Sequence, residues 1–145
     1  MYFCIVFYMI LKSKAIVLRS LKFGDSSLII DMFTELEGRI SFITRIPKTA
    51  KGKIKKQYFQ PLTLLDLEFD YRPRTSLQRI KEVRILRPYG SIPFDPVKSA
   101  ILLFLSEFLY YVTRGEQQNA HLYNYVCASM EWLDEAERDY ANFHL

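Results

Sequence analysis

Hydrophobic and polar residues alternate with a period of two through the first part of the chain and with a period of three to four through the last. Ala15 to Leu21 is rich in Ile, Val and Leu and is followed by a Gly24-Asp25 turn, as in a strand leading into a hairpin. Leu28 to Thr34 predicts a second strand, closed by Glu37-Gly38. Ile40, Phe42 and Ile46 share one parity and Ser41 and Arg45 the other, which predicts a half-buried third strand. Beyond a lysine-rich stretch, Leu65, Leu67, Phe69 and Tyr71 alternate with Asp66, Glu68 and Asp70, the cleanest strand pattern in the chain. Arg72-Pro73-Arg74 turns the backbone into a fifth candidate, Leu77 to Leu86, where Leu77, Ile80 and Val83 also fit a helical period. Four or five short strands with tight turns predict a small closed barrel, an arrangement that leaves no sheet edge to aggregate.

The last third changes period. Asp95-Pro96 offers an N-cap carboxylate followed by Pro at the first helical position. Val97, Ala100, Ile101, Phe104, Leu105, Phe108, Leu109 and Val112 then predict one buried helical face. Leu102 and Leu103 lie off that face, so the helix is expected to be buried on two sides. Gly115 ends it. Asn119 caps a second helix whose stripe is Leu122, Tyr125, Val126, Met130 and Leu133. A third helix is expected near Glu137, with the chain stopping inside it at Phe143-His144-Leu145, as in a fragment or truncated product. The expected class is therefore α+β, a small β-barrel followed by the start of a helical domain. The expected segments are 1–9 as an N-terminal extension, 10–88 as the barrel and 89–145 as the helical part. The opening MYFCIVFYMIL has no basic residue before its apolar run, unlike a secretory signal, and is far shorter than the roughly 20 residues of a membrane span. Residues 1–8 read either as an upstream extension ahead of Met9 or as a first strand packed on the core.

Charge divides the chain along the same line. Residues 1–90 hold 17 Lys and Arg against 8 Asp and Glu, whereas residues 91–145 hold 3 against 8. A basic module joined to an acidic one implies separate partners, with a polyanion for the basic half. The two cysteines, Cys4 and Cys127, are too few for a disulfide framework or a structural zinc site and point to a reducing compartment, the cytoplasm. Cys127 lies between stripe residues and reads as a core thiol.

Little in the chain suggests catalysis. His121 and His144 have no local Cys or Ser partner, and the five glycines are scattered singly rather than gathered in a phosphate loop. Asp66, Glu68 and Asp70 share a strand face, read as a solvated polar face ahead of a cation site. The strongest chemical signal is Lys48-Thr-Ala-Lys-Gly-Lys-Ile-Lys-Lys56, five lysines within nine residues, preceded by Arg45 and followed by Tyr58 and Phe59. Such cations bind phosphate backbones without reading sequence, and neighbouring aromatics can stack bases. The same stretch also reads as a solvated loop that keeps the protein in solution. The candidate nucleic-acid contacts are Arg39, Arg45, Lys48, Lys51, Lys53, Lys55 and Lys56, with Arg72, Arg74, Arg79, Lys81, Arg84 and Arg87 as a second basic cluster.

Several stretches together are similar to one family. Ala15-Ile-Val-Leu-Arg19, Gly24-Asp-Ser-Ser-Leu-Ile-Ile-Asp-Met-Phe-Thr34 with Gly38, and Phe59-Gln-Pro-Leu-Thr-Leu-Leu-Asp-Leu67 resemble the bacterial recombination mediator RecO. Ile80-Lys-Glu-Val-Arg84 and Ser91-Ile-Pro-Phe-Asp95 resemble the form found in the Bacteroides group. The resemblance covers residues 10–145. It implies an OB-fold that binds single- and double-stranded DNA, followed by a helical domain, in a repair pathway of the RecF type. It also implies exchange of single-strand binding protein for RecA, cooperation with RecR and strand annealing, without a catalytic step, a cofactor or a membrane. Many relatives carry a four-cysteine zinc site, which two cysteines cannot supply. The family chain is longer, so the pocket for the tail of single-strand binding protein, which in the family lies in the helical domain, is expected to be incomplete here. The alternative is an OB-fold RNA-binding module with no role in repair; an enzyme ranks third.

Overall fold

The computed structural model describes residues 9–48 and 52–137. Five strands, β1 (Met9–Phe23), β2 (Ser27–Thr34), β3 (Gly38–Arg45), β4 (Leu64–Tyr71) and β5 (Gln78–Ile85), close into a barrel in the order β1-β2-β3-β5-β4. All pairings are antiparallel except β3 with β5. This is the five-stranded OB-type barrel, and the class is α+β as expected. Two helices follow, α1 (Pro96–Val112) and α2 (Ala120–Glu135).

β1 is longer than its apolar run suggests. It starts at Met9, which pairs with Tyr71, so residue 9 belongs to the barrel and not to an extension. The expectations for residues 1–8 and for a third helix ending at Phe143-His144-Leu145 lie outside the described residues. In the middle of β1, Ala15, Ile16, Val17 and Leu18 are all buried because the strand is covered on both faces. Ala15 and Val17 point into the barrel with Ile30, Met32, Phe42, Phe69 and Phe59. Ile16 and Leu18 point outward, under Leu102, Leu105 and Leu109 of α1. Two-sided burial erases the alternation that marks a half-buried strand.

β5 is a strand along its whole length. Its register with β4 slips between Glu68 and Phe69, which face Glu82 and Ile80, so Lys81 is left over as a bulge. One extra residue converts the two-residue step from Ile80 into a step of three to Val83. That explains why the segment also looked helical.

α1 begins as predicted: the Asp95 carboxylate accepts the backbone N–H groups of Val97 and Lys98, with Pro96 at the first helical position. Its buried face overlaps the predicted one only in part, at Leu105, Leu109 and the partly buried Ile101. Leu102, Leu105, Ser106, Leu109 and Lys98 face inward, whereas Val97, Phe104, Phe108 and Val112 are about half exposed or more. Leu102 and Leu105 fit over the outer barrel residues Leu62 and Leu64, and apolar residues all around the helix left the pattern unable to choose a side. The expected burial on two sides is thus replaced by one packed face and one open apolar face among the described residues. In α2, capped by Asn119 at the Leu122 N–H, Tyr123 takes the inward place assigned to Tyr125, beside Val126, Met130 and Leu133.

Polar contacts at the two ends of α1 fix the helices to each other and to the barrel. Near its start, the buried Lys98 ammonium donates to Ser91 Oγ and to the carbonyls of Asp134 and Ala136, capping the C-terminal end of α2. Beyond its last turn, the Arg39 backbone N–H donates to the Glu116 carbonyl at 3.0 Å.

Candidate nucleic-acid interface

The lysine-rich connection leaves β3 at Arg45 and returns through a 3-10 turn at Lys56–Phe59 before β4. Its departure is anchored by the Ile46 N–H on the Ser26 carbonyl at 2.7 Å, beside the β1–β2 turn. Its return is anchored by the Ser20 hydroxyl on the Phe59 carbonyl at 2.7 Å. Apolar residues tie the segment down from within: Phe59 is buried in the barrel core, and Ile46, Ile54 and Tyr58 pack against it. The sequence alternates these anchors with lysines, so the lysines are turned outward. Lys48, Lys53, Lys55 and Lys56 are all exposed, and so is Arg45 at the end of β3. None of these five makes an ion pair with a described residue. Lys51 lies outside the described residues.

Arg39 does not belong with them. It stands at the opposite end of β3 from Arg45, six residues or about 20 Å along an extended strand. Its side chain is only 12% exposed and faces Asp31 at 4.0 Å. It donates to the Tyr110 carbonyl at 2.6 Å and to Thr113 Oγ1 at 3.2 Å, and its guanidinium lies over the Tyr110 ring. A cation so committed joins β3 to α1 and is not exposed for a phosphate. Nor is Phe59 a stacking platform, being held in the barrel interior.

The second basic cluster is partly neutralised. Arg84 donates two hydrogen bonds to Asp66, at 3.1 and 2.9 Å, and Arg87 bridges Glu131 and Glu135 of α2. Two of the three carboxylates on the acidic face of β4 are thus partnered, Asp66 by Arg84 and Glu68 by Lys12 at 4.0 Å, whereas Asp70 Oδ1 is buried with no hydrogen-bond partner among the described residues. No group of three or more His, Cys, Asp or Glu among the described residues is arranged to hold a metal ion. Cys127 packs half-buried against the helical core; burial raises its thiol pKa, against a hydrogen bond with Tyr123 that lowers it.

One group of cations was not visible in the sequence. Arg19, Arg39 and Arg114 all lie against the Tyr110 ring, 5.0, 4.4 and 5.9 Å from its centroid. They come from β1, β3 and the connection after α1, so no local spacing could have gathered them.

Two family models match the chain end to end. The one described as "Recombination protein O N terminal" covers residues 9–89, and the one described as "Recombination protein O C terminal" covers residues 93–145. The chain belongs to the RecO family. The resemblance carried by the strand motifs is therefore shown, and the gap between the two matches falls at residues 90–92, where Asp134 of α2 grips the backbone. Similar proteins include the DNA repair protein RecO of Bacteroides fragilis, 50% identical over 137 residues, and that of Phocaeicola vulgatus, 44% identical over 137 residues. The DNA repair protein RecO of Flavobacterium psychrophilum is 38% identical over 136 residues. These alignments cover 94%, 94% and 93% of this chain. The chain spans 57% of the length of each of these RecO relatives.

Proposed function

We propose that this RecO-family chain binds single-stranded DNA on its barrel and serves DNA repair as a recombination mediator. The observation that carries the reading is the set of exposed cations without acidic partners among the described residues, Arg45, Lys48, Lys53, Lys55 and Lys56, held on the connection that leaves β3 of an OB-type barrel. Mobile ammonium groups at this position capture phosphates by counterion release and leave the bases unread. Duplex DNA is a second ligand of the same surface. In a mediator, a bound strand is handed on and not cut, so no catalytic step is assigned. The helical part contributes to contacts with protein partners: RecR, and the C-terminal tail of single-strand binding protein, which RecA then replaces on the strand. Strand annealing and a cytoplasmic, nucleoid-associated location belong to the same reading.

The test is binding of a fluorescently labelled strand, measured by anisotropy over a range of salt concentrations, with RNA of the same sequence as competitor. About four phosphates neutralised on this segment contribute about −3 to the slope of log K against log salt, from roughly 0.7 per phosphate of a single strand. The DNA strand should outcompete the RNA. Equal or stronger RNA binding would instead mark an RNA-binding module. The mediator step is checked by RecA-dependent ATP hydrolysis on a strand coated with single-strand binding protein, which this chain together with RecR should accelerate.

A further inference from the structure

A second cationic surface lies where the barrel meets α1. A cleft of about 450 Å³ opens there, lined among others by Arg19 and Ser20 of β1, Pro61, and Glu107, Tyr110 and Tyr111 of α1. The guanidinium groups of Arg19 and Arg114 flank it, both against the Tyr110 ring. Arg114 also lies 5.9 Å from the centroid of the Tyr111 ring. The hydrogen bond from Arg114 lowers the pKa of the Tyr110 hydroxyl; burial opposes this and a hydrogen bond from Arg19 adds to it. Tyr110 thus acts as an acceptor for two arginines, Arg19 lining the cleft and Arg114 beside it. Its own ring is already faced by Arg19 and Arg39. Tyr111, which Arg114 also faces, is more open. Its ring meets Tyr110 at 80° and 5.2 Å between centroids, and its side of the pair is 58% exposed.

The cleft adjoins the lysine-rich segment. Ser20 lines it and also donates to the Phe59 carbonyl, the last residue of the 3-10 turn that starts at Lys56. Pro61, two residues on, lines it as well. A single strand leaving Lys56 therefore meets Ser20, then Arg19, then the exposed Tyr111 ring. Glu107 on the rim repels phosphate, which leaves the Arg19 and Arg114 side for the backbone and the Tyr111 ring for a base. An open aromatic face beside two guanidinium groups suits a nucleotide, since every base has a π-face and stacking is sequence-tolerant.

We propose that this cleft is a nucleotide subsite of the bound single strand, with Tyr111 stacking a base and Arg19 and Arg114 holding the adjoining phosphates. The proposal rests on the single-strand reading above and extends the strand's path from the barrel onto α1.

The test uses a labelled oligothymidylate of about 16 nucleotides, the upper site size of an OB-fold, read by anisotropy. Tyr111→Leu should weaken binding about ten-fold, by the loss of one stacked base, with the salt slope unchanged, and Tyr111→Phe should restore it. The double variant Arg19→Ala/Arg114→Ala should flatten the slope by about 1.4, from roughly 0.7 per lost phosphate contact. Wild-type affinity and slope in both Tyr111→Leu and the double arginine variant would overturn the subsite. The variant Lys53→Ala/Lys55→Ala/Lys56→Ala separates the two readings. If it loses binding while the cleft variants do not, the subsite falls and the lysine surface stands. If only the cleft variants lose binding, the subsite stands and the lysine surface falls. Free thymidine monophosphate should not displace the strand at millimolar concentration; complete displacement would make the cleft a mononucleotide pocket and overturn the strand path. An oligoglutamate whose binding, unlike the strand's, is lost with these same substitutions would assign the cleft to acidic protein segments, again against the proposal.

Discussion

Asp134 and Ser91 hold each other by both backbone and side chain: the Asp134 carboxylate accepts the Ser91 N–H at 2.9 Å, and the Ser91 hydroxyl donates back to the Asp134 carbonyl. The same carboxylate accepts the N–H groups of Gly90 at 2.9 Å and Ile92 at 3.1 Å. A negative charge in the last turn of a helix opposes the helix dipole. Here it is kept by three backbone donors and by the Lys98 ammonium, which caps the same helix end. This joint sits between the two matched halves of the family and sets how α2 approaches the barrel.

The joint makes stability depend on pH. Burial alone would raise the Asp134 pKa, but the hydrogen bonds from Gly90, Ser91 and Ile92 outweigh it and hold the carboxyl below its ordinary value of 3.8. A carboxyl whose pKa is lower in the folded state stabilises the fold above the unfolded pKa, and loses that contribution as pH falls through the folded value. Asp134→Asn should therefore lower the urea midpoint at neutral pH. The expected cost is roughly 1 kcal/mol, small for a hydrogen-bonded charge because the group is partly exposed. The gap to wild type should close below pH 3.8. A gap that persists unchanged at low pH would show that packing, not the charge, holds the joint.

Gly38 carries the second contact between barrel and helices. It has a φ of +72°, and a Cβ there would lie 2.5 Å from the carbonyl oxygens of Glu116 and Gln117. Gly24 has a similar φ of +65° with open space around it. Gly24→Ala should thus cost only the backbone strain, about 1 kcal/mol. Gly38→Ala adds a clash with backbone and should cost about 3 kcal/mol or more, since the α1–α2 connection would have to move off Arg39. Thermal midpoints of the two variants measure the difference; equal losses would mean that the connection gives way freely.

Legibility in the sequence followed the number of covered faces. β4 was plain because one side is core and the other is polar, so Leu65, Leu67 and Phe69 alternate with Asp66, Glu68 and Asp70. β1 lost its alternation where α1 covers Ile16 and Leu18, and β5 lost its parity at the Lys81 bulge. α1 had apolar residues on every side, so its length and cap were readable and its orientation was not. The lysines were legible from their clustering between Lys48 and Lys56, whereas the anchoring of that segment by Ile54 and Phe59 was not. Apart from the i, i+4 spacing of Tyr110 and Arg114, the group they form with Arg19 and Arg39 had no local signal, because tertiary closure alone brings β1 and β3 to the end of α1.

The orientation of α1 has a direct check. Leu105 is 4% exposed and shares an apolar cluster with Leu62 and with Leu64 of β4, whereas Phe104, its neighbour, is 67% exposed and stacks on Phe108, 6.2 Å away. Leu105→Ala should cost about 2–5 kcal/mol, as for a buried leucine. Phe104→Ser should stay within about 0.5 kcal/mol. Denaturant unfolding of the two variants decides it, and a loss for Phe104→Ser as large as that for Leu105→Ala would restore the face that hydrophobic spacing alone predicts, which holds both residues.

The lysine surface is tested by charge removal, with Arg39 as the contrast. Replacing Lys53, Lys55 and Lys56 by Ala removes three of the cations that carry the binding reading. The slope of log K against log salt should flatten by about two, at roughly 0.7 per contact, and all sequences should weaken alike. The thermal midpoint should not move, because these side chains are exposed and make no ion pair with a described residue. Arg39→Ala should do the reverse. It breaks hydrogen bonds to the Tyr110 carbonyl and Thr113 and leaves the half-buried Asp31 with its Ser41 hydrogen bond but without its cation. A loss of about 1–3 kcal/mol in stability follows, with the salt slope kept. If the triple variant binds with the wild-type slope, the segment is a solvated connector, and strand capture has to come from the arginines around Tyr110 or from Arg74, Arg79 and Lys81 on the β4–β5 side of the barrel.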